Sequence, residues 1–236
     1  MRIGLLIVGH VDERAKHLAG DYPELFADLL DGSGIDLVRY DLDAGRFPDS
    51  VTECAGWICS PSRCSTFDDQ PWIRDAETLL REVVAREVPY VGICFGHQLL
   101  AQALGAEVRR AADGWQVGVQ SYEIVAAPPW MQPRAERIAL IASHEDQVQS
   151  VPPGAELLAR SVGCPVAGLI VGERAWTLQA HPEFLPHLAD HLLGLRVDLI
   201  GADKVATART SLAQQRTDRD LVARWIATMF GATTHT

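Results

Sequence analysis

The residues with the clearest chemical potential lie in two short segments far apart in the chain. The first is Gly92-Ile93-Cys94-Phe95-Gly96, a Gly-x-Cys-x-Gly pattern between an apolar run and a helix-forming run. Small residues on both sides of a nucleophile permit a turn too tight for larger side chains, with the nucleophile at its tip. Such a turn would hold the Cys94 sulfur out of a sheet and beside the first amides of a helix, a position that favours thiolates. A buried packing cysteine is the other reading of the same pattern. The second segment is Gln179-Ala180-His181-Pro182-Glu183-Phe184. A cysteine nucleophile needs a base and a group that orients the base. Residues two apart in extended backbone share a face, so His181 and Glu183 would stand side by side, with Pro182 restraining the turn. Glu183 could accept from one ring nitrogen and leave the other for the thiol proton. A strand-end histidine beside a helix-capping glutamate is the plainer alternative.

The surrounding elements must bring these segments together. Val88, Tyr90, Val91 and Ile93 suit a strand buried on both faces, and residues 98–104 suit a helix that stops at Gly105. Earlier in the chain, residues 2–9, 35–42 and 55–59 read as strands. Residues 12–31 read as a loop and an amphipathic helix, and 70–86 as a helix with Pro71 in its first turn. This alternation predicts a parallel sheet covered on both faces. Residues 107–115 should turn; 117–125, 137–142, 156–160, 166–171 and 175–179 read as strands. Helical alternation lapses there, which leaves room for antiparallel edge strands. Residues 183–230 read as helical, ending in an amphipathic helix over 220–230 and a frayed tail over 231–236. No Pro/Ser-rich linker interrupts the chain, so one domain over 1–236 is expected.

Composition narrows the classes of function. Hydrophobic residues make up 47% and charged residues 22%, as in ordinary globular proteins, and the net charge is −10. Without a basic stripe, neither nucleic acid nor an anionic membrane surface is an expected partner. The apolar start is too short for a signal h-region, and no apolar run reaches membrane-spanning length. The five cysteines, Cys54, Cys59, Cys64, Cys94 and Cys164, are odd in number and include no CxxC pair. That predicts reduced thiols in a cytoplasm and no structural zinc. Cys54 and Cys59 flank the third strand and read as packing residues. His187 and His191 are four apart, but no third ligand accompanies them, so a solvated helix face is expected and no metal site.

Taken together, the two segments resemble the class I glutamine amidotransferases, close to stand-alone relatives of the GMP synthase amidotransferase domain and to the γ-glutamyl peptidases. The matching residues are Gly92-Ile93-Cys94-Phe95-Gly96-His97-Gln98, Ser143-His144-Glu145-Asp146-Gln147-Val148 and His181-Pro182-Glu183-Phe184. The loop 62–67, followed by Asp68-Asp69-Gln70-Pro71-Trp72-Ile73, matches as well. The resemblance spans nearly the whole chain. It implies a flavodoxin-like α/β fold, with a mostly parallel central sheet and helices on both faces. It implies a Cys94–His181–Glu183 triad that forms a γ-glutamyl thioester, with no cofactor. Phe95 would supply one oxyanion amide and Gln98 would contact the substrate. Ser143, His144 and Asp146 would shape the pocket for the α-amino and α-carboxylate groups. His97 reads as a helix-start residue rather than as the base.

One departure stands out. The family's second oxyanion donor usually comes from a glycine in the loop after the third strand, and Pro61 aligns there unless the alignment slips by one residue. Proline has no N–H. Losing one such donor typically costs about 10²- to 10³-fold in rate. Ser60 or Ser62 would have to offer its amide, the loop would have to move, or catalysis would be weak; Ser62 is the candidate carried forward. The implied substrate is a small molecule, glutamine or a γ-glutamyl amide, hydrolysed to glutamate and ammonia or an amine. A glutaminase chain feeding a separate synthase partner chain is the alternative, since the chain has no GxxxxGK[ST] phosphate loop. A catalytically weak binding or sensor protein is the second, and a homodimer is left open. Substrate specificity is expected in the loops at 12–22, 60–69 and 114–120.

Overall fold

The computed structural model describes residues 1–232; the last four positions of the expected frayed tail lie outside the described residues. Strand β1 (Arg2–Ile7) opens the chain. A one-turn helix α1 (Lys16–Ala19) and helix α2 (Tyr22–Leu29) follow. Asp21 caps α2 and exchanges hydrogen bonds with Glu24 in a capping box. Next come β2 (Asp36–Asp41), a 3-10 turn (Leu42–Ala44), β3 (Trp57–Cys59), α3 (Pro71–Ala85), β4 (Tyr90–Ile93) and α4 (Phe95–Ala103). The middle of the chain is β-rich: β5 (Val108–Arg110), β6 (Gln116–Ile124), β7 (Arg137–His144), β8 (Asp146–Val148), β9 (Ala155–Arg160), β10 (Gly168–Val171) and β11 (Ala175–Leu178). Four helices close it: α5 (Pro186–Leu195), α6 (Val197–Ile200), α7 (Ala202–Gln214) and α8 (Arg219–Met229).

Nine strands form one sheet in the order β2-β1-β3-β4-β11-β10-β9-β6-β7. The first five run parallel, in the flavodoxin-like order expected from the sequence. From β11 onward every pairing is antiparallel, so half of the eight pairings are of that kind. The reason is the connections. β10 and β11 are joined by the three residues Gly172-Glu173-Arg174, too few for a parallel crossover. The expected turn over 107–115 contains β5, which pairs with β8 in a separate two-stranded ladder.

Alternation along β1 assigns its two faces. Ile3, Leu5 and Ile7 join the cluster of Leu25, Phe26, Leu188 and Trp225, under α2, α5 and α8. Leu6 and Val8 join Ile73, Leu80, Phe95 and Leu99, under α3 and α4. Helices therefore cover both faces, and the parallel strands are buried throughout. Four of these strands (β1, β3, β4 and β11) release their following loops at one sheet edge. Ligands bind at that edge in open α/β sheets.

Candidate active site

Cys94 follows β4 directly and has φ +52° and ψ −99°, a left-handed backbone that a non-glycine residue adopts only under constraint. The constraint is visible. The Cys94 amide donates to Leu178 O at 2.8 Å, and helix α4 begins at the next residue. A Cβ on Gly92 would lie 2.6 Å from Gly96 O, and one on Gly96 would lie 2.7 Å from Cys59 O. Both glycines are thus required by close approach of backbone, which is what the Gly-x-Cys-x-Gly spacing predicts. The helix starts three residues earlier than its composition suggests, because the first turn includes Gly96 and the buried His97. The Phe95 amide therefore opens α4, where the helix itself supplies no acceptor.

β11 lies beside β4 in parallel register, Leu178 opposite Ile93, so the segment after β11 emerges next to Cys94. The His181 amide donates to Ile141 O at 2.8 Å and fixes that segment to β7. His181 Nδ1–H donates to Glu183 Oε1 at 2.7 Å, and Phe184 stacks on the imidazole at 4.1 Å between ring centroids. Glu183 is fully buried, and its Oε2 has no partner among the described residues. Neither has His181 Nε2. Burial alone would depress His181, but the Glu183 carboxylate and the nearby Cys94 sulfur outweigh it and hold the imidazole up, to about 10.

Both Cys94 and His181 line a cavity of about 510 Å³ that Asp12, Ser62, Gln98 and Asp146 also reach. Gln98 Nε2 donates to Asp146 O at 2.8 Å and to Gln179 Oε1 at 3.1 Å, and Gln179 Nε2 reaches the Cys94 sulfur at 3.5 Å. The Asp146 side chain accepts from Ser65 Oγ at 2.5 Å. His144 is buried; its Nδ1–H donates to Asp146 O at 3.2 Å and its Nε2 has no partner among the described residues. Burial, and then the neighbouring His181, push His144 down to about 3, so it is neutral. Ser143 Oγ accepts from Arg196 at 3.1 Å.

In the loop after β3, the Ser60 amide is committed to Leu6 O at 3.0 Å, and its hydroxyl accepts from Val8 and donates to Pro61 O. Of the two serines flanking Pro61, Ser62 is the one that lines the cavity. Gly9 passes so close that a Cβ there would lie 2.6 Å from Ser62 Oγ.

The other expected histidine and cysteine roles are readily placed. His97 is fully buried; its Nε2–H donates to Val166 O at 3.1 Å and its Nδ1 accepts from Thr177 Oγ1 at 2.7 Å. Burial pushes it down to about 4, which makes it a neutral clasp between α4 and the sheet. Burial also pushes the Cys59 and Cys164 thiols up to about 12, as suits packing residues. Among the described residues no group of three His, Cys, Asp or Glu side chains could hold a metal, and no helix is long and apolar enough to cross a membrane. Two residues at the site escape the sequence reading: Gln179, fully buried beside Cys94, and Arg196, which lines the cavity. Gln179 is a polar residue closing an apolar strand, a signal visible in hindsight. Arg196 sits between α5 and α6, where nothing in the local pattern marks it.

The family model for glutamine amidotransferase class-I matches residues 32–194. Gamma-glutamyl peptidase 3 of Arabidopsis thaliana is 25% identical over 232 residues, covering 93% of this chain and 92% of that protein. Gamma-glutamyl peptidase 4 of the same plant is 30% identical over 179 residues, 73% of this chain and 71% of its own. A glutamine-hydrolyzing GMP synthase subunit from Pyrococcus furiosus is 34% identical over 110 residues, 46% of this chain and 58% of its own. Among solved structures, a glutamine amidotransferase from Thermotoga maritima superposes with a TM-score of 0.75 at 19% identity, over 98% of this chain and 96% of that one.

Proposed function

Since this chain belongs to the class I glutamine amidotransferases, we propose that it hydrolyses glutamine or a γ-glutamyl amide, with Cys94 as nucleophile, His181 as acid and base, and Glu183 orienting His181. One observation carries the reading. Cys94 sits on a left-handed turn in the same cavity as a buried imidazole whose Nδ1 is bound to Glu183 and whose Nε2 has no partner among the described residues.

The chemistry follows from that arrangement. The Cys94 sulfur attacks the γ-carbonyl carbon, and the C–N bond breaks as His181 Nε2–H gives its proton to the leaving nitrogen. The Phe95 amide at the start of α4 and the Ser62 amide across the cavity take the oxyanion. Once the thioester has formed, sulfur carries no charge, and His181 loses one of the two partners that held it protonated. Its affinity for a proton falls, and it can accept one from water that attacks the thioester and frees glutamate. Asp146 and the neutral His144 face the cavity where an α-ammonium would need acceptors.

Purified protein incubated with glutamine, γ-glutamyl amines and γ-glutamyl amino acids should release glutamate, and Cys94→Ala should abolish the release. Release that survives Cys94→Ala, or none from any γ-glutamyl compound, would sink the proposal. The hydrolase form is supported by the γ-glutamyl peptidase relative, which matches over nearly its full length. The resemblance to a GMP synthase subunit supports a second reading, in which the chain delivers ammonia to a synthase partner; it covers less than half of this chain. Glutamine turnover that appears only on adding such a partner would favour it.

A further inference from the structure

Gln179 is fully buried, and its side-chain amide lies between Gln98 and the Cys94 sulfur. The backbone around it is fixed. Its main-chain amide donates to Ala167 O at 2.8 Å, and the Leu178 carbonyl before it accepts from the Cys94 amide at 2.8 Å. Which end of the side chain faces the sulfur follows from the groups behind it. The Asp146 carbonyl can only accept, so the atom of Gln98 at 2.8 Å from it must be the nitrogen. That nitrogen has a second N–H, which meets Gln179 at 3.1 Å and requires an acceptor there, Oε1. Gln179 Nε2 is left facing Cys94 Sγ at 3.5 Å, and no other acceptor meets it among the described residues. A main-chain carbonyl thus aims, through two side-chain amides, a donor at the nucleophile. A buried donor needs an acceptor. A neutral thiol is a weak one, whereas a charged acceptor makes a hydrogen bond roughly twice as strong as a neutral one. The Gln179 amide is therefore well satisfied only when the sulfur is charged.

We propose that Gln179 is a further catalytic residue, which holds the Cys94 sulfur as a thiolate, with Gln98 and the Asp146 carbonyl as the positioning groups that orient it. This rests on the hydrolase reading above and adds a fixed donor to its nucleophile. Unlike His181, Gln179 has no proton to give away, so its support does not depend on the charge of the imidazole. When water attacks the thioester, its proton goes to His181 and the C–S bond breaks. The electron pair of that bond returns to sulfur, where the Gln179 N–H meets it. Tyr22, Tyr122, Cys164, His181 and Arg196 also feel the charge on this sulfur, and Glu183 acts on it through His181. Burial keeps both tyrosines and Cys164 uncharged, and Arg196 stays charged, so His181 is the partner that titrates with the thiol.

Alkylation of Cys94 by iodoacetamide, followed across pH without substrate, reads the thiolate. Peptide-resolved mass spectrometry separates Cys94 from the exposed Cys64. Gln179→Met keeps the length of the side chain and removes the donor. Its pH midpoint for Cys94 should rise by about one unit or more, the scale of a hydrogen bond to a charged group. Gln98→Met leaves Gln179 in place but frees its amide to turn, and should raise the midpoint by a smaller amount. Glutamate release near neutral pH should fall about tenfold in Gln179→Met, following the lost thiolate. A merely structural role would lower Tm and leave the midpoint where it was. An unchanged midpoint in folded Gln179→Met overturns the assignment while leaving hydrolysis intact; if that variant does not fold, an unchanged midpoint in Gln98→Met does the same. Raised midpoints in a protein whose parent releases no glutamate from any γ-glutamyl compound overturn the hydrolase reading instead, and leave Gln179 as the group that charges the thiol.

Discussion

At the floor of the cavity, Cys94, His181 and Glu183 are fixed by main-chain contacts and burial; at its rim, Asp12, Arg14 and Arg63 are held mainly by one another's charge. The floor is nearly closed to solvent, with Cys94 at 6% exposure, His181 at 3% and Glu183 at 0%. The rim guanidinium groups of Arg14 and Arg63 are mostly exposed, at 65% and 61%. Interactions of the first kind gain strength from low dielectric and cannot relax without moving a strand. Those of the second kind are screened by water and salt. A cavity built this way keeps its chemistry rigid while its selectivity remains open to change by surface substitution.

The largest effect should come from breaking the floor at Glu183. Glu183→Gln keeps the shape and removes the charge that holds His181 up. Glutamate release should fall by about 10²-fold or more, the scale of positioned acid–base catalysis. The pH profile should change as well. His181 is raised above its ordinary value, so its contribution to stability is full below about 6.5 and is lost as pH rises toward about 10. The acid role of His181 in acylation should persist over the same range. In Glu183→Gln the alkaline limb of the rate profile and the alkaline loss of thermal stability should both move to lower pH. An unshifted alkaline limb would remove Glu183 from the proposed triad.

Gly96→Ala should come next. The added methyl would meet Cys59 O at 2.7 Å and Cys59 Cβ at 2.8 Å, and these atoms belong to β3 and cannot swing aside. Overpacking of this kind costs about 1–3 kcal/mol. Calorimetry should show a lower Tm. Glutamate release should fall further than the stability loss explains, because α4 carries the Phe95 amide and would be displaced from Cys94. A variant with full activity and unchanged Tm would mean that the elbow has slack.

How much of this was legible in the sequence follows the same division. The Gly-x-Cys-x-Gly elbow and His181-Pro182-Glu183 were readable because each device is encoded locally, within five residues or fewer. That the early strands form a parallel sheet was readable from strand–helix alternation, whereas the flavodoxin-like arrangement was implied only by the family resemblance. The β5–β8 ladder was not, since Val108 and Val148 pair across forty residues and neither strand exceeds three residues. The rim is the extreme case. Loops 12–22, 60–69 and 114–120 could be named as sites of specificity, but Arg196 reaches the same cavity from a helix junction with no motif. Its placement depends on contacts with Ser143 and Trp115 that exist only in the folded chain.

Pro61→Gly probes the boundary between floor and rim. If Ser62 supplies the second oxyanion amide, giving residue 61 an N–H should change the rate by less than about threefold, small beside the 10²- to 10³-fold value of a true donor. It should also lower stability slightly, by about 0.4–1 kcal/mol, since the unfolded chain gains freedom. A rise in rate of tenfold or more would show that residue 61 occupies the donor position and that the protein runs with half an oxyanion hole.

The smallest effect belongs to the rim itself, at Asp12→Asn. Arg14 and Arg63 hold the Asp12 carboxyl far below the usual carboxylate range, chiefly through the Arg14 hydrogen bonds. The charge is therefore present at any working pH, and removing it leaves the Arg14 and Arg63 guanidinium groups without their carboxylate. For a γ-glutamyl amino acid, KM should fall by a few-fold at low salt, with kcat unchanged and the difference vanishing as ionic strength rises. For glutamine, which has no charge beyond the scissile bond, KM should barely move. A parallel change for both substrates would mean that Asp12 shapes the entrance rather than its potential, and the contrast between a rigid floor and an electrostatic rim would no longer hold.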